Sequence, residues 1–588
     1  MRLTISIFFF FFVGSVMSQT LSQNRSVDWT LAGLRIDTSF NLQVVDMQSL
    51  GVFDDGFTAN DSIITNFIDT FSGIGAILDF PPGDFLFNTS IVLPSNYIIK
   101  GKGADSTIFL MDLGGSGNAI VISGFSTSDT TAFVQSVSLG DNHIVVYDSS
   151  GFQEGDWVRI IQYDLDLVTS SWAEGTVGQI VQIDSISNNN IWLQSPLRMD
   201  FDISRNPYIK RIIPRNNIGI ECLKIMRLDD TAPQQSSNLS FRYAVNCWVK
   251  GIESDNCTFS HIKGEFCSNL YIAQSYFHHA FDYGGGGRGY GVVFQFTTGE
   301  SLAEDNIFKH LRHSILVQAG ANGNAFAYNY SLDPYWSSVP NDAAGDIVLH
   351  GNYVYSNLFE QNICRNIVID NSHGPNGPYN TFFRNRSEGY GIFFSANNSP
   401  NQNFIGNEIT NTSFPYSLVN YTILGTGHFI YGNNNKGTIT PAGTQSLPDL
   451  SYAYTVKPDF IPLIQWAKIG TPNPLGTSDI PAKTRYINNS IFSSSCNNIY
   501  TYTPTFDKNN FSSVFPNPFY DVLYIESQQG LDKIFLFNAL GVQLELFNIN
   551  DTIIKLDLKN FASGIYFVGM KFTDGSSLTR RVVKLNAF

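Results

Sequence analysis

The sequence has few charged residues and lacks positive charge in particular. Of its 588 residues only 14% are charged, and the formal net charge at pH 7 is −15. Such a chain, which also has no Lys/Arg-rich run, is not expected to bind nucleic acid. Hydrophobic residues make up 43%, which excludes a disordered chain and favours a folded, sheet-rich protein.

Cysteine is also scarce and never closely spaced. The six cysteines include no CxxC pair, which excludes a zinc ribbon. We expect Cys247, Cys257 and Cys267 to be small apolar core residues, with one bridge among them as the alternative.

Long hydrophobic runs are absent after the N-terminus. Residues 1–18 combine Arg2, an apolar stretch and small residues, which predicts a secretory signal peptide. An uncleaved anchor is the alternative, but the apolar core is short for one. We therefore expect an exported mature protein with no transmembrane segment.

A repeat of about 22 residues runs through the middle of the chain. Successive asparagines open short apolar runs at spacings of 23, 33, 23 and 22 residues, and they are Asn306, Asn329, Asn362, Asn385 and Asn407. Spacing of this kind predicts a solenoid, and short apolar runs between Gly and Asn turns predict strands as its units. The asparagines are expected to stack in a ladder at one turn of a right-handed parallel β-helix.

The N-terminal region supports the same fold. An Asp/Gly turn is followed by a helix-forming stretch after Asn60 and by FPPG at 80–83. This series resembles the N-terminal region of the pectate-lyase and polygalacturonase-like β-helix superfamily. The resemblance implies an all-β chain, with a right-handed parallel β-helix over residues 41–500 and a capping helix. It implies little about activity, because many chemistries use this scaffold.

Two segments break the repeat. Residues 131–206 read as a small antiparallel β insertion, which either flanks a binding groove or covers a hydrophobic end. Residues 434–500 are rich in Pro and Gly, and we expect an irregular tail packed on the last coils.

Residues 512–588 read as a small β-sandwich. They resemble the C-terminal sorting domain that the type IX secretion system of Gram-negative bacteria recognises. The matching positions are Pro516, Asn517, Pro518, Gly541, Asp557, Leu558, Gly564, Tyr566 and Lys584. The resemblance implies export across the outer membrane by that machinery, followed by release or attachment at the cell surface. A carbohydrate-binding sandwich is the alternative.

Chemistry-bearing residues cluster in the repeat. Seven of the nine histidines lie between His261 and His373, and residues one coil apart are neighbours at about 4.8 Å in a solenoid. HLRH at 310–313 is expected to turn outward onto this shared face, while the following aliphatic residues pack inward. Two long inserts, one Gly-rich and one containing Trp336, could wall a groove there.

Two reactions fit these residues. A polysaccharide lyase needs a base, a group that neutralises the uronate carboxylate, and an acid. A glycoside hydrolase needs paired carboxyl groups, for which Asp282, Asp346 and Asp370 are the first candidates and Glu304 and Asp305 the second. The polygalacturonase signature is missing, with only SHG at 372–374 as an echo.

The predicted site therefore has two groups of residues. Catalytic roles are predicted for Arg312, His313, His279, Asp282, His373 and Asp370. Substrate binding is predicted for Arg288, Tyr290, Trp336, His310, His350 and Arg384. No metal ligand is assigned to the site. A calcium ion could nevertheless neutralise the uronate carboxylate in place of Arg288 or Arg384, with Asp342 and Asp346 as candidate ligands.

The sequence thus favours an exported enzyme acting on an extracellular polysaccharide, with elimination ahead of hydrolysis. A non-catalytic surface adhesin or glycan-binding solenoid is the alternative class. The excess of acidic residues between 261 and 390 counts against a strongly anionic substrate. The classes differ in whether the His and Arg groups converge in one groove.

Overall fold

The computed structural model shows two compact units that divide after residue 499. It describes residues 20–35, 42–70, 75–229, 235–419, 421–461, 466, 468–492, 496, 512–516, 519–527, 531–538, 543–548, 553–573 and 577–585. The predicted signal peptide, residues 1–18, lies outside the described residues.

The first unit is a right-handed parallel β-helix, as predicted, whose coils form three faces. The first face is a 12-stranded sheet in which each strand pairs in parallel with the next coil. Its strands are Val44–Asp46, Ala76–Asp79, Tyr97–Lys100, Gly219–Glu221, Trp248–Lys250, Tyr271–Ala273, Leu302–Glu304, Ala325–Ala327, Leu358–Glu360, Thr381–Phe383, Asn403–Ile405 and Phe429–Tyr431.

The other two faces belong to one 20-stranded sheet. Face two contains Asp55–Ala59, Gly83–Phe87, Thr107–Met111, Lys224–Arg227, Glu253–Asp255, Tyr276–His278, Ile307–Lys309, Tyr330–Leu332, Glu408–Ile409, Asn433–Asn435 and the antiparallel Thr438–Thr440. Face three contains Ile91–Val92, Ile120–Ser123, Ser237–Arg242, Ser260–Glu265, Tyr290–Gln295, His313–Val317 and Ile347–Leu349. The longer strands Ile363–Ile369 and Arg386–Phe394 run from face two into face three. Arg215–Asn216 and Ala244–Val245 form a separate short pair.

Helices are few and short. The α-helix Asp61–Thr70 buries Ile64 and Ile68 against the coils, as the capping-helix prediction requires. The second α-helix is Pro481–Ile487 in the tail. The 3-10 helices are Gln23–Arg25, Trp29–Leu31, Gln48–Leu50, Ser171–Ala173, Ile203–Arg205, Asn341–Ala343 and Tyr416–Leu418.

Two asparagine ladders hold the coils in register. In the first, each Oδ1 accepts from the backbone and side-chain N–H of the asparagine one coil earlier, at 2.9–3.1 Å, through Asn306, Asn329, Asn362, Asn385, Asn407 and Asn433. The predicted ladder is therefore confirmed. A second ladder, which the sequence analysis missed, runs through Asn324, Asn357, Asn380 and Gln402.

An antiparallel sheet of six strands interrupts the β-helix after face three. Its strands are Phe125–Ala132, His143–Val145, Trp157–Ile161, Gly178–Ser187, Asn190–Leu193 and Tyr208–Ile213. They enclose a separate apolar core around Val158, Ile183 and Phe201. This insertion is wider than residues 131–206, because the flanking strands Phe125–Ala132 and Tyr208–Ile213 pair with each other.

The irregular tail packs on the coils through buried polar anchors. The Arg384 guanidinium donates to carbonyls of Leu447, Asp449, Ile469 and Thr471 at 2.8–3.0 Å. A disulfide joins Cys222 to Cys496 across 274 residues of sequence. The other four cysteines are buried and free, as expected for three of them.

The second unit contains two antiparallel sheets around one apolar core. One sheet is Ser512–Phe515, Val522–Ser527 and Ile553–Asp557. The other is Leu531–Asn538, Gln543–Asn548, Gly564–Phe572 and Ser577–Lys584. Asn517, Pro518 and Gly541 of the predicted motif set lie outside the described residues.

Candidate functional site

The turns that lead from face two into face three carry most of the predicted site. Residues 279–289 form this turn in one coil, residues 310–312 in the next, and residues 333–346 in the third. HLRH therefore spans the shortest of three stacked turns, between two long loops. Ile315 and Val317, which follow it, point into the β-helix core.

Arg312 lies between the two long loops. Its guanidinium is 5.6 Å from the Trp336 ring centre and 5.8 Å from that of Tyr290. It also donates to the carbonyl of Gly284. Arg312 as a whole is half-buried, and its Nε is buried without a hydrogen-bond partner among the described residues. This cation is therefore framed by aromatic rings.

His313 is buried beside Arg312 and held in one tautomer. Its Nδ1 lies 2.7 Å from the carbonyl oxygen of Gly345. A carbonyl only accepts, so Nδ1 carries the proton and Nε2 of the neutral ring carries a lone pair. Burial, helped by the charges of Arg312 and His350, lowers the pKa of His313 to about 3. The ring is therefore neutral around neutral pH, with the lone pair of Nε2 free.

A histidine–aspartate pair continues the cluster onto the next coils. His350 Nδ1 is 2.5 Å from an Asp370 carboxylate oxygen, and the His350 ring is 6.2 Å from His313 and 4.9 Å from His373. Burial alone would raise the pKa of Asp370. The hydrogen bond and charge of His350, with hydrogen bonds from Ser372, instead hold it below its ordinary value.

The β insertion borders this cluster. Trp172 stands edge-on to His373 at 5.1 Å, and Ser170 Oγ lies 3.4 Å from His373 Nδ1. Asn352 Oδ1 accepts from the backbone N–H of Thr169 at 2.9 Å. Trp172 is a groove residue that the sequence analysis missed, because only the fold brings the insertion to this coil.

A second group lies at the other end of the turn stack. The ring of His310 contacts those of His279, Tyr283 and Tyr335 at 5.3, 5.1 and 4.8 Å. Its Nδ1 is 2.9 Å from an Asp333 carboxylate oxygen. The loop residue that follows Tyr283 is Gly284, whose carbonyl accepts from Arg312, so the Gly-rich loop links the two groups. We call this set of turn residues, from His279 to His373, the groove.

Asp282 and Arg288 belong to the Gly-rich loop and form an ion pair with each other. Asp282 also accepts from the backbone N–H of Gly284 at 2.7 Å. Burial would raise the pKa of Asp282, but the Gly284 and Arg288 hydrogen bonds and the Arg288 charge lower it overall. The pair ties the two ends of the loop together.

The structure contradicts the predicted substrate-binding role of Arg384. The side chain is 1% exposed and its donors are taken by the tail carbonyls. It therefore anchors the tail.

Other acidic candidates also have structural partners. Asp346 is buried and accepts from Ser331 and from the backbone N–H of Arg365 and Asn366, while Asp342 accepts from the hydroxyls of Tyr390 and Tyr416. The two therefore do not form the calcium pair that the sequence suggested.

Glu304 and Asp305 likewise lie away from the groove, among the tail contacts. Glu304 accepts from two tyrosine hydroxyls, Tyr271 and Tyr454. Asp305 pairs with Arg485 at 2.6 Å. These contacts contradict a role for either residue in hydrolysis within the groove.

A separate cleft lies between the insertion and the coils. It has a volume of about 1040 Å³, and its lining includes Trp29, Leu167, Arg198, Asp200, Tyr353 and Tyr379. Its exposed carboxylates cap local turns: Asp200 accepts from Leu139 N–H at 2.7 Å and Asp202 from Ser204 N–H at 2.8 Å. Its lining contains no histidine, so we place the chemistry in the groove.

The fold is a right-handed parallel β-helix whose polar candidate residues gather at the turns between faces two and three. Comparison with known proteins identifies a further domain of the chain. Residues 513–584 match the family of the secretion system C-terminal sorting domain. The chain therefore carries a type IX sorting signal and is exported, either secreted or attached to the cell surface. No helix among the described residues is long and apolar enough to cross a membrane.

Relatives of the β-helix are more distant. A capsule K1-specific depolymerase of Klebsiella phage K64-1 is 27% identical over 173 residues, which is 29% of this chain and 19% of the depolymerase. The chain thus matches about a fifth of the length of this curated relative.

Solved structures that align with this chain include a phage tailspike and a bacterial adhesin. The Gp54 tailspike of Acinetobacter baumannii bacteriophage AP22, solved with a capsular saccharide, is 14% identical over 69% of this chain and 76% of its own, with a TM-score of 0.36. PfbA, a surface adhesin of Streptococcus pneumoniae, is 11% identical over 67% of this chain and 92% of its own, with a TM-score of 0.30. Likenesses at these scores carry no functional argument.

Proposed function

We propose that the protein is an exported polysaccharide lyase that cleaves a uronate-containing glycan by β-elimination in the groove. The observation that carries the proposal is that the buried, neutral His313 directly follows the half-buried cation Arg312 and is influenced by its charge. Elimination needs an unprotonated base close to a positive charge that neutralises the uronate carboxylate.

Each groove residue then has one role. Arg312 binds the uronate carboxylate and stabilises the negative charge that develops when the neighbouring C5 proton leaves. His313 accepts that proton at Nε2. Tyr290, whose ring is 4.9 Å from His313, donates a proton to the leaving oxygen at C4 as the C4–O bond breaks. Trp336 and Tyr335 offer flat faces to the sugar rings.

Further groove residues would bind the chain on either side. His350 and Asp370 hold His373 and Trp172 at one end, while His279, His310 and the Asp282–Arg288 loop lie at the other. A capsule depolymerase as relative supports a polysaccharide as the substrate class.

The test is an assay of the full chain on polysaccharides with and without uronates. We expect ultraviolet absorbance from an unsaturated uronate at the same rate as new reducing ends. His313→Gln and Arg312→Met should reduce the rate by about 100-fold or more. The matched control is His143→Gln, which should retain the rate. His143 lies in the insertion, where its Nε2 is 3.0 Å from Asn190 Oδ1. Wild-type rates in His313→Gln would overturn the assignment.

Hydrolysis is the second candidate, but three groove carboxylates already have side-chain partners, Asp333 with His310 among them. Asp282 is paired with Arg288 and Asp370 with His350, which suits neither for the proton donor that a glycosidase needs. Reducing ends without the ultraviolet absorbance would favour this candidate.

Binding without catalysis is a further candidate, favoured by the cleft of about 1040 Å³ with Trp29, Tyr353 and Tyr379 in its lining. Saturable glycan binding without any cleavage, weakened by Tyr353→Ala and not by His313→Gln, would support an adhesin.

A further inference from the structure

A second cluster of ligand-type side chains lies where face two ends. Asp255 and His278 close successive strands and are direct register neighbours, and His279 follows in the turn with a φ of 60°. One ligand atom of each residue lies within 4.8 Å of the other two. The proposed elimination uses neither Asp255 nor His278.

Glu253 fixes the tautomer of His278. His278 Nε2 lies 3.1 Å from a Glu253 carboxylate oxygen, which can only accept, so Nε2 carries the proton. In the neutral ring Nδ1 therefore has a lone pair, which faces His279 Nδ1 at 2.7 Å and an Asp255 oxygen at 3.4 Å. A carboxylate that binds the far nitrogen of an imidazole is the usual support for a metal-ligating histidine.

Two lysines lie near this cluster and limit its charge. Lys224 Nζ is 2.8 Å from Glu253 and 3.0 Å from Asp255 Oδ2, so Asp255 Oδ1 stays directed at His278. Lys309 is the register neighbour of His278, but its Nζ lies 5.9 Å from the Tyr486 ring centre. Glu253 and Asp255 carry two negative charges against the positive charge of Lys224, and the charge of Lys309 also acts on His279.

We propose that Asp255, His278 and His279 form a binding site for a zinc ion. Two imidazole nitrogens and one carboxylate oxygen are ligands that Zn²⁺ takes in tetrahedral geometry, with water in the fourth position. Zn–N bonds of about 2.0–2.1 Å require the two nitrogens to separate to about 3.3 Å. His279 is only half buried, so rotation of its side chain provides this small movement.

The ion has a structural consequence for the neighbouring loop. His279 is the first residue of the turn 279–289, and the next residue, Ala280, donates its backbone N–H to the Tyr283 hydroxyl at 2.9 Å. Zinc would thus fasten the start of the loop to face two. Its binding is measured without substrate and is independent of the proposed elimination.

The test is metal binding by the full, folded chain after removal of metal with a chelator. We expect titration with Zn²⁺ to show one saturable site, and Co²⁺ in its place to give the visible absorption of a tetrahedral complex. His278→Ala and the conservative Asp255→Asn should abolish both signals. Glu253→Ala should weaken affinity about 10- to 100-fold, as expected for a residue that orients a ligand.

His310→Ala is the matched control, because His310 contacts His279 but is not a ligand. This variant should keep one equivalent of zinc. Circular dichroism of each variant establishes that it is folded before titration. Absence of a saturable site in the wild type, or undiminished binding in His278→Ala and Asp255→Asn, would overturn the proposal.

Discussion

At the scale of single residues, the proton affinity of His313 follows from its neighbours. The ring is buried, lies beside the Arg312 cation and donates from Nδ1 to a carbonyl. Protonation of Nε2 would bury a second positive charge beside the first, which burial and Coulomb repulsion both oppose. The same arrangement leaves the lone pair that a general base requires.

The lowered pKa of His313 predicts that the folded protein loses stability in acid. The unfolded chain protonates His313 near about pH 6.5, whereas the folded state does so near about 3. Over that window the unfolded state binds more protons, so the free energy of unfolding falls as the pH drops, by up to about 1.4 kcal/mol per unit for this group. His313→Gln should therefore show a shallower loss of stability between about pH 6.5 and about pH 4.5.

The quantity to measure is the difference between variant and wild type. Glu304 and Glu360, whose pKa values burial raises to about 7, contribute the opposite slope, because the folded state retains their protons longer. Urea midpoints by tryptophan fluorescence suit this experiment, since all seven tryptophans precede residue 500. Parallel pH curves for the two proteins would contradict the prediction.

Substitutions of Arg384 and Arg312 are expected to affect stability and turnover in opposite ways. Arg384→Met removes a buried cation from the carbonyls of the tail, and we expect it to lower the free energy of unfolding by about 3–5 kcal/mol. Turnover by the molecules that remain folded should be unchanged. Arg312→Met should do the reverse, with lost turnover and a nearly unchanged urea midpoint. Equal effects of the two substitutions on turnover would contradict the separation of anchor from groove.

At the scale of structural elements, the ladders explain how such short strands remain in register. Most strands of face one are only three residues long. Each ladder asparagine accepts two hydrogen bonds from the previous coil and donates to the next, as Asn362 does to Asn385 Oδ1 at 2.9 Å. Asn362 also donates back to the Phe326 carbonyl of the previous coil at 2.8 Å. Buried amides that satisfy all their partners fix one register and penalise every other.

Asn362→Ala should therefore be severe. It removes the acceptor of Asn329 and the donor to Asn385, leaving buried polar groups unpaired, and should cost about 3–5 kcal/mol. Asn398→Ala, at an exposed asparagine, is the control and should change stability by less than about 0.5 kcal/mol. Chemical unfolding measures both, and equal midpoints would argue against the ladder as a source of stability.

The sequence predicts these elements unevenly, for physical reasons. A ladder leaves a period in the sequence because each coil must return an asparagine to the same point, so Asn306 to Asn407 predict the coil length. Asn324 and Asn357 repeat the pattern less visibly, since Gln402 ends it. The insertion begins earlier than predicted because Phe125–Ala132 consists mostly of Ser, Thr and Asp and has no alternation of apolar and polar residues that would mark it as a strand of the insertion.

The groove could be predicted only in part. Stacking brings Arg312, His313, His350 and His373 to one side because their coils are consecutive. Arg384 lies at a different turn, between faces one and two. Whether chain or solvent covers that turn depends on the tail, which the repeat does not encode. Trp172 reaches the groove through the insertion, whose orientation is set by contacts such as that of Asn352 with Thr169.

At the scale of the whole molecule, function and export belong to separate units. The β-helix unit has its own core and the C-terminal sandwich has another. Because the sorting signal forms a compact unit of its own, we expect its removal to leave the groove folded.

Deletion of residues 512–588 should thus abolish export but not folding. We expect the truncated chain to be retained inside the outer membrane, which cell fractionation and immunodetection would measure. Its tryptophan-detected unfolding midpoint should match that of the full chain. Release of the truncated protein into the medium at the normal level would contradict the role of this unit.

The Cys222–Cys496 disulfide would hold the irregular tail on the coils if the sorting domain were cut off. Cys496 stands four residues before the boundary between the two units, and its partner lies in the coil directly after the insertion. A protease that cuts anywhere downstream of Cys496 creates a new chain end that is already tethered. After such a cut the tail would therefore remain held on the coils near Glu304, Glu360 and Arg384.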